Sequence, residues 1–172
     1  MLAAHSAAQF VAERPTYDIG DTWDRSDGSY ELKRIEDDEY VFVRDPLRSI
    51  YLTKDLAISR IVDNGVVALL IDPPTTATWP LTVGKVGATA VIWRRAGRRS
   101  NTIIDQRLLW MVERYEDVTT AAGRFKAFKI THTVRSIGNP GRIDYTLWYA
   151  PEIRRFVKGT GSEPALTFEL AR

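Results

Sequence analysis

The sequence predicts an all-β fold, a strongly curved antiparallel sheet or partly open barrel built from sequential hairpins with little helix. Three observations carry that expectation. Turn signals at Asp27-Gly28, Asn64-Gly65 and Asn139-Pro140-Gly141 each separate two stretches suited to strands, the pattern of a hairpin. Gly123 to Lys158 reads as one long hairpin and holds the densest aromatic content, beside His132. No long helix and no internal repeat is legible anywhere in the chain.

Size and composition set the bounds. A chain of 172 residues suits one domain able to bury roughly 70% of its unfolded surface, without staples. Its 27% charged and 44% apolar residues exclude disordered, collagen-like and coiled-coil chains. Net charge +2 and pI ≈ 8.9 are too mildly basic for a dedicated nucleic-acid binder, so no nucleic-acid partner is expected. The absence of cysteine excludes disulfides, thiolate catalysis and cysteine metal sites. No apolar run reaches the roughly 18 residues of a membrane helix, so no transmembrane segment is expected. Residues 1–15 read as a flexible N-terminal arm and 16–172 as a single β domain. Ala4-His5-Ser6 has the small-x-small look of an export cleavage site, although a basic n-region is missing. The arm is read either as the remnant of an export signal or as a frayed end.

Taken in order, Tyr17 to Ile35 forms a hairpin around Asp27-Gly28, with Trp23 expected opposite Leu32 and Arg25 opposite Tyr30. Glu36 to Glu39 is an acidic turn lacking the ligand spacing and glycine of a calcium loop. Tyr40 to Val43 and Ile50 to Thr53 are strands on either side of Asp45-Pro46. Ala57 to Ile71 is a hairpin at Asn64-Gly65, which sets Val62 against Val67 and Ile58 against Ile71. The unbroken apolar run Val66 to Ile71 predicts a strand covered on both faces. Asp72 to Pro80 is a proline-rich rim loop that brings Trp79 onto the core as a plug.

Ala88 to Trp93 alternates as a strand and leads into Arg94-Arg95-Ala96-Gly97-Arg98-Arg99. A two-residue turn at Ala96-Gly97 would oppose Arg95 to Arg98 and Arg94 to Arg99, which is unfavourable. Relief comes either from solvent and carboxylates such as Glu113 or Glu116, or from an anionic partner such as phosphate or a lipid headgroup. Arg94, Arg95, Arg98 and Arg99 are therefore candidate anion-binding residues. Asp105 to Tyr115 is read as a strand because all its neighbours are β. After a turn at Ala122-Gly123, Phe125 to Val134 and Arg142 to Ala150 make the long hairpin. Side-chain parity puts Phe128, Ile130, His132 and Val134 with Ile143, Tyr145, Leu147 and Tyr149 on the core face. The opposite face, including Phe125 and Ala127, reads as wet. Leu166, Phe168 and Leu170 alternate as a closing strand with an edge available to a partner.

Chemistry-bearing motifs are scarce. There is no glycine-rich phosphate loop, no histidine pair at metal spacing and no nucleophile elbow, so neither cofactor nor metal is expected. His5 and His132 are the two histidines. His132 is read as a core residue or, alternatively, as a general base working with Asp144 and a tyrosine. Trp110, His132, Tyr145 and Tyr149 are candidates to line an aromatic concavity suited to an acyl chain or another amphiphile.

Tyr17 with Gly20-Asp21-Thr22-Trp23, Trp79-Pro80-Leu81 with Val83-Gly84-Lys85, Val118 with Ala122-Gly123-Arg124-Phe125 and Lys129-Ile130, and Leu147-Trp148-Tyr149-Ala150-Pro151-Glu152 with Phe156-Val157-Lys158 form an ordered set across nearly the whole chain. Together they resemble a family of bacterial cell-envelope proteins of unknown function, β-rich and usually carrying an export signal. Ala121 stands where that family tends to have proline, and Val86 where tryptophan is common. The resemblance implies a strongly curved antiparallel sheet and a periplasmic or otherwise exported location, and carries no established activity. Gly20 to Trp23 is also similar, one residue longer, to the Gly-x-Trp start of lipocalin-like barrels.

The leading expectation is a non-enzymatic envelope protein that holds an apolar or amphiphilic ligand, such as a lipid, or a segment of an envelope protein partner, in the concave face of its sheet. The alternatives are a hydrolase or isomerase using His132, and a structural protein pairing through an exposed sheet edge.

Overall fold

Hairpin after hairpin, the chain lays down neighbouring strands that curl back on themselves. The computed structural model describes residues 10–45, 47–96, 101–137, 141–162 and 166–171. Fourteen strands are formed among them. The first seven are β1 (Val11–Ala12), β2 (Thr22–Arg25), β3 (Gly28–Glu36), β4 (Glu39–Asp45), β5 (Arg48–Leu52), β6 (Ile58–Asp63) and β7 (Val66–Asp72). The others are β8 (Leu81–Thr82), β9 (Val86–Ala96), β10 (Asn101–Thr120), β11 (Gly123–Ser136), β12 (Arg142–Ala150), β13 (Arg155–Gly161) and β14 (Phe168–Glu169). A short 3₁₀ turn is formed at Pro151–Ile153.

Twelve strands make one antiparallel sheet, in the order β14-β13-β12-β11-β10-β9-β7-β6-β5-β4-β3-β2, and β1 pairs with β8 as a separate ribbon. The sheet nearly closes into a barrel with one open seam between its end strands. That seam is bridged at one point: Arg25 pairs with Leu170, Ser26 N–H bonds the Glu169 carbonyl at 2.7 Å, and Ala171 N–H bonds the Asp24 carbonyl at 2.8 Å. Near-closure removes the edge problem that an open sheet would carry. The all-β expectation therefore holds. The edge proposed at Leu166 to Leu170 is corrected, because β14 uses one side for β13 and the other for this seam.

β10 and β11 form the longest ladder, interrupted by a bulge between Val112 and Arg114 that bends β10. Their inward faces agree with parity: Phe128, Ile130, His132 and Val134 on β11, and Leu108, Trp110 and Val112 on β10, are all buried. Trp110 can lie flat in the lumen because its cross-strand partner is Gly87, where a Cβ would come within 2.3 Å of the indole. The long hairpin has the expected strands, while Asn139 and Pro140 of its turn lie outside the described residues.

The outer face of that hairpin is not wet throughout. Val118, Ala127, Ala150 and Val157 form a second buried cluster with Leu170, flanked by Phe125 and Trp148. The C-terminal segment covers them, which parity alone does not reveal.

Other registers depart from expectation. In the first hairpin the turn is Ser26-Asp27, so Trp23 faces Tyr30 and Arg25 faces Gly28. Asp27 fixes this placement: both its oxygens accept from Arg25 at 2.8 Å, and one accepts the Tyr30 hydroxyl at 2.9 Å. Gly28 takes φ 137°, which a side chain would resist. In the next clear hairpin Val62 does face Val67, but a bulge between Ile61 and Val62 sets Ile61 against Leu69 and Arg60 against Leu70, so Ile58 does not face Ile71. β7 is not covered on both faces either. Val66 and Val67 are exposed, since a barrel wall has no second layer outside it.

One end of the barrel is plugged. Val11–Ala12, within the segment read as an arm, pairs with Leu81–Thr82, while residues 1–9 and the export reading at Ala4-His5-Ser6 lie outside the described residues. Tyr17 packs edge-on against Trp23 and Tyr40, and its hydroxyl donates to the Arg154 carbonyl. Trp79 is the rim plug expected of it, with its ring against Tyr149 at 4.9 Å and Nε1 donating to the Asp55 carbonyl at 3.0 Å. Removing the Tyr17 hydroxyl by Tyr17→Phe is expected to cost about 1 kcal/mol in urea denaturation, the net worth of one hydrogen bond.

Candidate functional site

Inside the barrel lies a cavity of about 260 Å³. Its main wall follows from strand parity. Phe42 faces Ile50, Ile50 faces Ile61 and Ile61 faces Leu69, so one cross-strand row from β4 to β7 presents four apolar side chains to the lumen. Trp23 extends the row by stacking on Phe42 at 4.1 Å. Tyr145, Leu147 and Phe156 form the facing wall, and Leu166 and Phe168 close it at the seam.

Two glycines shape that second wall. A Cβ on Gly159 would sit 2.5 Å from the Phe168 ring, and one on Gly161 would sit 2.6 Å from Tyr145 Cβ. The Phe168 ring crowds the first position, and the Tyr145 Cβ with the backbone of β12 crowds the second.

Among the described residues, charge is confined to one end. Arg25, Arg48 and Asp63 line the cavity next to the turns that follow β2, precede β5 and follow β6. Arg25 is held bidentate by Asp27, with its guanidinium 3.5 Å from the centre of the Phe168 ring. Arg48 lies 3.7 Å from Asp63. Leu52, Leu56 and Ile58 line the opposite end, against the plug.

The aromatic residues singled out by sequence fall into two groups. Trp110, His132 and Tyr145 lie in register across β10, β11 and β12, and of these Tyr145 alone is a lining residue. Trp110, His132 and Tyr149 are buried in the packed interior. The Tyr145 ring stacks on His132 at 4.3 Å with an interplanar angle of 6°. Burial pushes the His132 imidazole down to about 3 and raises the Tyr145 hydroxyl, and it lifts Tyr149 to about 12.

General-base chemistry at His132 loses its geometry. The residue is 1% exposed, and among the described residues neither ring nitrogen finds a hydrogen-bond partner. Asp144 lies on the exposed side, bonded to Thr133 and Arg142 at 2.7 Å each. The Arg142 hydrogen bond, then that of Thr133, holds its carboxyl below the usual range. An acid oriented away from the imidazole cannot position it.

The arginine run also differs from expectation. Arg94 pairs with Ile103 and Arg95 with Thr102, so neither faces another arginine in the ladder. Arg98 and Arg99 lie outside the described residues. Glu113 binds Lys129 at 2.6 Å, and Glu116 accepts from Trp148 Nε1 at 2.9 Å. Arg94 is exposed and does not line the cavity, where Arg25 and Arg48 are the cations among the described residues. Sequence reasoning missed these two, and the signal able to find them is their position beside turns on short amphipathic strands.

No helix of the described residues is long and apolar enough to cross a membrane. The lipocalin-like resemblance is not carried by the architecture, since this sheet has twelve strands and a lipocalin barrel about eight. No family model and no curated protein matches the chain. Its β fold is similar to the crystal structure of a candidate lipoprotein from Parabacteroides distasonis ATCC 8503, with a TM-score of 0.42 and 14% identity over 92% of this chain and 94% of that chain.

Proposed function

We propose that this chain is a non-enzymatic binding protein of the bacterial cell envelope that holds a small apolar or amphiphilic molecule inside its barrel. The carrying observation is the lumen cavity of about 260 Å³, walled by the Phe42, Ile50, Ile61 and Leu69 row and, among the described residues, charged at one end only. Native interiors are close-packed, and voids larger than a water are few. An apolar cavity of this size costs stability when empty, which a guest would recover. It is too small for a folded partner segment, so a small molecule is favoured over a peptide. The envelope location rests on the residues from Tyr17 to Lys158 that resemble exported proteins.

Native mass spectrometry of protein purified from an envelope fraction tests this reading. A co-purifying mass that disappears on solvent extraction, together with a raised midpoint of thermal unfolding before extraction, is the expected result. Protein found only in the cytosol, with no guest and no response to added amphiphiles, would overturn it.

A further inference from the structure

The two ends of the cavity are built differently, and the difference bears on what can enter. Its floor is the β5–β6 connection. Leu52 and Leu56 line the cavity and also belong to the main core with Tyr17, Ala77 and Leu81. Leu56 holds φ 65°, a left-handed conformation that a leucine adopts only under constraint. The constraint is visible: Leu56 N–H bonds the Thr53 carbonyl at 2.9 Å, Thr53 N–H bonds the Ala57 carbonyl at 2.9 Å, and Ala57 N–H bonds Thr53 Oγ1 at 3.2 Å. Trp79 ties down the same loop through the Asp55 carbonyl. The floor is thus a pinned loop backed by the plug. Opposite it, Arg25, Arg48 and Asp63 mark the end where water and a polar group belong.

Building on the binding reading above, we infer that the cavity measures chain length, accepting one straight alkyl chain of about ten carbons with its head among Arg25, Arg48 and Asp63. An engineered apolar cavity of about 150 Å³ accommodates the six carbons of benzene. In the same proportion, 260 Å³ accommodates about ten carbons. Two-chain lipids do not fit. Charges of both signs at the mouth leave selection to length rather than to head-group charge.

The test is a binding series of straight-chain fatty acids and of the matching 1-alkanols, from about six to about sixteen carbons, followed by tryptophan fluorescence on the full chain below micelle concentrations. Affinity is expected to rise roughly fourfold per methylene, to peak near ten carbons in both series, and to fall at least tenfold by the longest chains. Leu56→Ala lowers the floor and moves the peak about two carbons longer. The wild-type series decides the matter without that variant, should it fail to fold. Affinity that climbs without a peak to the longest chain would remove length selection and leave the binding reading standing. Absence of saturable binding at every length would overturn both.

Discussion

Replacing Gly87 with valine is expected to destabilise the protein by about 3 kcal/mol or more. The position sits on β9 directly opposite Trp110, and an added Cβ would stand 2.3 to 2.7 Å from three indole atoms. Such contacts must be relieved by moving the ring. Trp110 is a buried member of the main core, so shifting its indole disturbs packing beyond a single contact. Urea denaturation checks this, with Ala88→Val as the control. Ala88 is the next residue along the same strand and is exposed, so that change should stay within about 0.5 kcal/mol. Equal effects at the two positions would mean that Trp110 does not lie over Gly87.

Acid should weaken the fold well before its carboxylates titrate. In the unfolded chain His132 takes up a proton near its ordinary value of 6.5, whereas in the folded chain burial holds it neutral down to about 3. Between those limits the unfolded state binds more protons, so stability rises with pH and is lost as pH falls. The loss begins near pH 6.5 and steepens to about 1.4 kcal/mol per pH unit. From pH 7 to pH 5 it amounts to about 2 kcal/mol. Glu113, Asp117 and Asp144, whose folded values are lowered by Lys129, Arg124 and Arg142 respectively, add their own loss only at lower pH, where carboxylates protonate. Comparing urea midpoints at the two pH values in wild type and His132→Phe separates the contributions. The phenyl ring keeps the stack on Tyr145, and its slope should be nearly flat. An unchanged slope in the variant would show that His132 is not the buried neutral group described here.

How much of this was legible in the sequence depends on how local each feature is. The β11 and β12 faces could be read because Phe128, Ile130, His132 and Val134 alternate strictly, and inward burial follows from two-residue periodicity. The first hairpin slipped because Asp27-Gly28 admits two turn placements, and the choice is made by Asp27 gripping Arg25 and Tyr30. The apolar run Val66 to Ile71 reads as a strand covered on both faces, yet closure of the sheet gives it an interior on one side and solvent on the other.

The site was harder to read for a further reason. Parity says that Trp110, His132 and Tyr149 point inward, but not whether the space they enter is filled. The filling depends on non-local partners: Gly87 beneath Trp110, the plug under Tyr149, and Phe168 brought across Gly159 by the last strand. The unfilled volume instead falls beside Phe42, Ile50, Ile61 and Leu69, on short strands whose register is set by bulges.

The central claim, that this barrel is a container, is tested most directly by titrating the protein with the neutral fluorophore N-phenyl-1-naphthylamine, alongside an Ala68→Trp variant. Ala68 lines the cavity from β7, so the variant places an indole in the lumen. Saturable one-to-one binding to wild type, displaced by decanoic acid and lost in a folded Ala68→Trp, is the expected result. Binding of equal strength in the filled variant would place the probe on the outer surface and contradict a guest within the lumen.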